Sequence, residues 1–136
     1  TLAARASAAC AVSITLTSEA LMKYQGSCHC GRNTFEAEGD ITRVIECNCS
    51  HCSRKGYLLW FAPRASVRLT TPETNFSTYT FNKHVIQHLF CPQCGCAPLG
   101  FGVDEKGVQT AAVNVRCIEG IDLAALERVP VDGRSF

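Results

Sequence analysis

The sequence is poor in methionine and tryptophan, with one of each in 136 residues, and it has no excess of either charge: 13 Lys and Arg against 12 Asp and Glu, a net +1. A balance this even leaves no electrostatic footprint for nucleic acid or an anionic membrane. No apolar run is long enough for a membrane helix. The most apolar stretch, residues 2–17, is short and broken by Ser and Thr. Internal repeats and low-complexity linkers are also missing, which argues against a solenoid or a string of modules. With 46% hydrophobic and 18% charged residues, the chain belongs to the globular class, at a length that suits one domain with a modest core.

Arg5 ahead of the apolar stretch resembles a signal peptide. Export would expose the thiols that follow to oxidation, and Met22-Lys23-Tyr24 has the form of a natural start. Residues 1–21 are therefore read as a non-native or disordered extension, and residues 22–136 as the single domain.

What the chain does have is cysteine: ten in all, most of them in tight clusters at Cys28-x-Cys30, Cys47-x-Cys49-x-x-Cys52 and Cys91-x-x-Cys94-x-Cys96. Disulfides between such close neighbours would be strained, and clustered thiols fit metal ligation in a reducing compartment, here the cytoplasm. Cys91-Pro92-Gln93-Cys94-Gly95 reads as a zinc knuckle, in which Pro92 sets one φ and Gly95 permits a turn that aims backbone N–H groups at sulfur. With Cys28 and Cys30 it completes a closed four-thiol site, whose role is most simply structural. Cys47, Cys49 and Cys52 supply three thiols, provided the chain turns after Cys49. Three protein ligands and one open position is the pattern of a catalytic zinc. The expected cofactor is thus Zn²⁺, two per chain. Cys96, Cys10 and Cys117 are read as spare thiols, although Cys96 can compete as a ligand.

His51 has three readings: a proton-transfer group, with an ordinary pKa of about 6.5; a fourth zinc ligand; or a surface histidine. Arg54 and Lys55 are candidates to receive a substrate's carboxylates. Trp60, His88 and Phe90 are expected to pack around the metals, and His29 and His84 have no evident partner.

The remaining pattern is mostly β. Strands are expected over 33–38, 41–46, 57–62, 67–69, 75–81, 85–90 and 108–115, from alternating or short apolar runs bounded by Gly and Pro. Only residues 122–127 read as helix, with Asp122 as N-cap.

Gly26-Ser27-Cys28-His29-Cys30-Gly31 with Phe35-Glu36, Cys47-Asn48-Cys49-Ser50-His51-Cys52 with Arg54 and Gly56, and His88-x-Phe90-Cys91-x-x-Cys94-Gly95 resemble the glutathione-dependent formaldehyde-activating enzyme family, which includes centromere protein V. Asn114-Val115-Arg116-Cys117 and Asp132-Gly133-Arg134-Ser135-Phe136 also look like its C-terminal pattern. The resemblance implies an all-β, Mss4-like fold of twisted antiparallel sheets. It also implies a structural zinc on Cys28, Cys30, Cys91 and Cys94, and a catalytic zinc on Cys47, Cys49 and Cys52. The activity it implies is a carbon–sulfur lyase reaction that forms S-(hydroxymethyl)glutathione from glutathione and formaldehyde. The competing expectation is a zinc-stabilised binding module without catalytic activity.

Overall fold

The computed structural model describes residues 22–135. Among these residues, ten strands form two sheets. In the smaller, the order is β1 (Met22–Ser27), β2 (Thr34–Gly39), β5 (Val67–Leu69). In the larger, β10 (Glu127–Val131), β3 (Arg43–Cys47), β4 (Leu59–Pro63), β9 (Gln109–Asn114), β8 (Leu99–Val103), β7 (Gln87–Phe90) and β6 (Ser77–Tyr79) follow one another. The single α-helix among the described residues, α1, is Ser50–Lys55. The all-β expectation holds, with one departure from antiparallel pairing: β10 runs parallel to β3, placing Val131 beside Cys47.

Strand alternation builds the core. In β2, Phe35 and Ala37 are buried while Glu36 and Glu38 turn away. Glu36 meets Gln25 and the Arg68 guanidinium on the outer face. Phe35 packs with Val44, Leu58, Leu89, Val113 and Val115 in the main core, and burying a side chain of this size contributes about 2 kcal/mol. Its ring lies so close to the backbone of Gly26 that a Cβ there would overlap it.

Two expectations fail. Residues 122–127 are not a helix: Asp122 does cap a turn by accepting from the Ala124 N–H at 3.1 Å, but the turn is a 3₁₀ turn over Leu123–Ala125, and Glu127 already belongs to β10. Trp60 does not join the cluster around Cys47, Cys49 and Cys52. It packs against the main core, and a Cβ on Gly39 would stand 2.7 Å from its ring. His84 does find a partner, with its Nδ1 2.9 Å from the Thr80 hydroxyl. The extension proposed for residues 1–21 lies outside the described residues.

Candidate metal centres and substrate cavity

The fold gathers seven thiols into two groups, Cys28/Cys30/Cys91/Cys94 and Cys47/Cys49/Cys52, each with its sulfurs within 4.8 Å of one another.

The first group joins two turns, with Cys30 and Cys91 lying 61 residues apart in sequence. Cys28 and Cys30 sit in the β1–β2 turn, closed by the Gly31 N–H donating to the Cys28 carbonyl at 3.3 Å. A turn, not an extended segment, thus brings Cys28 and Cys30 together. Cys91 and Cys94 sit in the knuckle after β7, where the Gly95 N–H donates to the Cys91 carbonyl at 2.8 Å with Gly95 at φ 81°. That left-handed conformation favours glycine. The Sγ atoms of Cys28 and Cys30, and those of Cys30 and Cys91, are 3.6 Å apart. A disulfide needs about 2 Å, whereas sulfurs at about 2.3 Å from a tetrahedral zinc lie about 3.8 Å from one another. The spacing therefore fits a metal and excludes a disulfide.

The electrostatics agree. The backbone N–H of Cys96, then that of Cys30, pulls the Cys94 thiol down to about 5. The Arg32 N–H would lower Cys30 as well, but burial and the neighbouring sulfurs of Cys28, Cys91 and Cys94 hold it up at about 11. Four crowded thiols cannot all ionise by themselves, and a divalent cation removes that conflict.

The second group is built on one strand end and one helix start. Cys47 ends β3. Cys49 is the N-cap of α1, its sulfur accepting the Cys52 N–H at 3.2 Å, and Cys52 is buried one turn on. The Cys49 N–H points at the Cys47 sulfur at 3.4 Å. The turn after Cys49 is the one the spacing demanded, executed as a helix. Burial opposes ionisation of Cys49, but the N–H of Cys52 and further donors bring it below the ordinary thiol range. Cys52 is driven up by burial, then by Cys49. This donor set also suits zinc.

The chain's end is fastened to this turn. The Asn48 N–H donates to the Val131 carbonyl at 3.0 Å, and the Asn48 amide donates to Asp132 at 2.9 Å. Arg134 donates twice, from its backbone N–H to Asn48 Oδ1 at 3.0 Å and from its guanidinium to the Asn48 carbonyl at 3.2 Å. Gly133 is packed so closely on Cys47 that a Cβ would collide with the sulfur.

His51 and Cys96 stand outside both thiol groups. The His51 ring lies in an aromatic cluster, 4.4 Å from His88 and 5.1–5.6 Å from Tyr57, Tyr79 and Phe81 by centroid. Its Nδ1 is buried without a hydrogen-bond partner. Burial, then the Lys55 charge, lowers its pKa. His88 is lowered further, to about 4, by burial and then by His51 and Lys55. Phe90 packs beside Cys52, Tyr57 and Ala97, close to the second thiol group as expected.

Two cavities adjoin α1. One, of about 530 Å³, is walled by Cys47, Cys49 and Cys52 together with apolar side chains. The other, of about 700 Å³, holds His51, Arg54 and Lys55. Tyr57, Phe81, His88 and Ala97 border both. Arg54 and Lys55 thus line the cavity next to the one containing the thiols, while His88, read from sequence as packing, borders both. No spacing signal marks His88, because strand pairing of β7 with β6 and β8 puts it there.

Residues 23–126 match the family described as glutathione-dependent formaldehyde-activating enzyme. The chain belongs to that family. Its fold is also that of a Rhodobacter sphaeroides protein of known crystal structure, with a TM-score of 0.68 and 29% sequence identity, over 78% of this chain and 97% of that one. Family and architecture agree with the all-β, Mss4-like reading, and both thiol groups have the composition to hold zinc.

Proposed function

We propose that the chain is a zinc-dependent enzyme that joins a thiol to an aldehyde beside Cys47, Cys49 and Cys52, with glutathione and formaldehyde as the pair its family name supplies. The observation that carries this reading is that these three thiols, gathered within 4.8 Å, wall a cavity large enough for a substrate. Cys28, Cys30, Cys91 and Cys94 hold a second, structural zinc. The working compartment is a reducing one, the cytoplasm, where the seven thiols stay available.

Zinc held by three thiolates supplies Lewis acidity, lowering the proton affinity of a sulfur or oxygen presented to it. The chain does the rest. The cavity holds thiol and aldehyde together, which removes much of the entropic cost of their meeting. The thiol loses its proton, sulfur bonds to the carbonyl carbon, and the carbonyl π pair becomes an alkoxide that takes a proton to give the hydroxyl of the hemithioacetal. Release runs the same steps backwards. His88, on the cavity wall, is the imidazole placed to pass the proton, with His51 behind it at 4.4 Å between ring centroids. Burial lowers both below the ordinary histidine value, so a proton taken from the thiol is passed on to the alkoxide rather than kept. Arg54 and Lys55, which line the adjoining cavity, take the carboxylates of a thiol whose polar arms extend there; their position on its wall supports this role.

The test is formaldehyde consumption with glutathione by zinc-loaded protein. Turnover above the uncatalysed rate, lost in Cys49→Ala, is expected. Equal rates for wild type, variant and buffer would contradict the reading and leave a zinc-stabilised binding module.

A further inference from the structure

Formaldehyde fills little of the space beside the thiols. The cavity holds about 530 Å³ and is lined, beside the cysteines, by Ile45, Leu59, Phe61, Ile86, Leu99 and Val103, with Asn82 and Asn114 as its polar neutral side chains. Lys83 is its one ionisable side chain other than His88, Tyr57 and the thiols. Phe61, Val85, Ile86 and Val103 each leave about half of their surface exposed along it, at 51%, 51%, 49% and 49%. The rim they help form is shaped by the turn over Asn82–His84, where Asn82 and His84 both have left-handed φ values of 56° and 58°. The cationic residues Arg54 and Lys55 open on the other cavity, across Tyr57, Phe81 and His88. The two reactants therefore meet surfaces of opposite character. A charged, peptide-like thiol has its partners on the Arg54/Lys55 side. Whatever fills the thiol-lined cavity gains by being apolar.

We propose that the aldehyde partner of this site carries an apolar body, alkyl or aryl, which lies in the cavity bounded by Leu59, Phe61, Ile86 and Leu99 while its carbonyl reaches Cys47, Cys49 and Cys52. This rests on the thiol–aldehyde reading above and narrows its substrate class. The reaction balances as before: the new bond joins sulfur to the carbonyl carbon, and the thiol proton ends on the carbonyl oxygen. Each buried methylene strengthens binding about fourfold, so a six-carbon chain outcompetes formaldehyde by a wide margin before any difference in chemistry is counted.

The experiment uses the zinc-loaded full chain and two series. The first is unreactive amides, formamide, butanamide and hexanamide, titrated by calorimetry. The second is the corresponding aldehydes, with benzaldehyde added, reacted with glutathione to give kcat/KM. Affinity for the amides should rise about fourfold per methylene, and kcat/KM should rise in the same order. Ile86→Ser and Val85→Ser, at half-exposed positions whose change leaves the core intact, should reduce the gain per methylene. Amide affinities that stay flat along the series overturn the proposal, whether the cavity is closed by a second copy of the chain or simply fails to bind. Flat amides with formaldehyde turnover would leave the reaction standing and this inference refuted. Graded amide binding with no aldehyde turned over would refute the reaction and keep the apolar site.

Discussion

Gly133 shows how a single missing side chain shapes the second thiol group. Its backbone rests on the Cys47 sulfur, in space that a Cβ would take. Gly133→Ala should push the chain's end off the Cys47–Cys49 turn and weaken zinc binding there by about tenfold or more, in line with the loss expected when a group supporting a ligand is disturbed. Competition with a chromophoric chelator reads this directly, and the Cys28/Cys30/Cys91/Cys94 site should keep its metal. His88 gives a pH signature. Its folded pKa of about 4 lies below the ordinary histidine value, through burial first and then His51 and Lys55. Between about pH 6.5 and 4 the unfolded chain therefore binds the extra proton, and stability falls as the solution is acidified. Above that window both states are neutral and the contribution vanishes. With zinc kept saturating, His88→Gln should show a flatter dependence of the urea midpoint on pH across this window. An unchanged slope would mean the ring is not held neutral.

At the scale of elements, the site depends on a segment distant in sequence. Strand β10 pairs parallel with β3, and the hydrogen bonds among Asn48, Asp132 and Arg134 continue that pairing onto the metal turn. Asn48→Ala removes partners from both Asp132 and Arg134. It should lower zinc affinity at Cys47/Cys49/Cys52 while costing about 1 kcal/mol of global stability, because these bonds are exposed. Parallel metal titrations and urea melts check the split. This element was not legible in the sequence. Residues 122–127 carry the helical pattern Asp-Leu-Ala-Ala-Leu-Glu, yet pairing with β3 takes Glu127 into a strand, and local propensity yields to a tertiary contact. β8 was hidden because Gly100 and Gly102 blur its alternation, and Gly100 is glycine because a Cβ would stand 3.0 Å from the Gln87 carbonyl oxygen. α1 was hidden for the opposite reason: Ser50-His51-Cys52-Ser53 has little helix propensity, and its start is fixed by the Cys49 sulfur. Where an apolar alternation or a glycine knuckle carries the signal, as in β2 or Cys91–Gly95, sequence and structure coincide.

For the whole molecule, the proposed function gives the two thiol groups unequal jobs. The first ties the β1–β2 turn to the knuckle after β7, and so joins the small sheet to the large one. Zinc bound there would be folding free energy, on the order of 10 kcal/mol, comparable with the entire stability of a domain this size. The second ties a strand end to a six-residue helix and opens on a cavity. The residue types and their grouping were readable from spacing. The distribution of charge was not: Arg54 and Lys55 follow Cys52 in sequence but face the neighbouring cavity, because α1 turns them away from the sulfurs.

The proposed function requires two separate zinc sites, one holding the fold and one serving the chemistry. Zinc stoichiometry with sulfur coordination from X-ray absorption, measured on wild type, Cys49→Ser and Cys94→Ser, tests it most directly. Two zinc ions per wild-type chain are expected, one for each thiol group. Cys49→Ser should remain folded with one ion in a four-sulfur shell, and Cys94→Ser should lose the fold. One zinc per wild-type chain, unchanged by Cys49→Ser, or a folded Cys94→Ser protein with full zinc content, would contradict it.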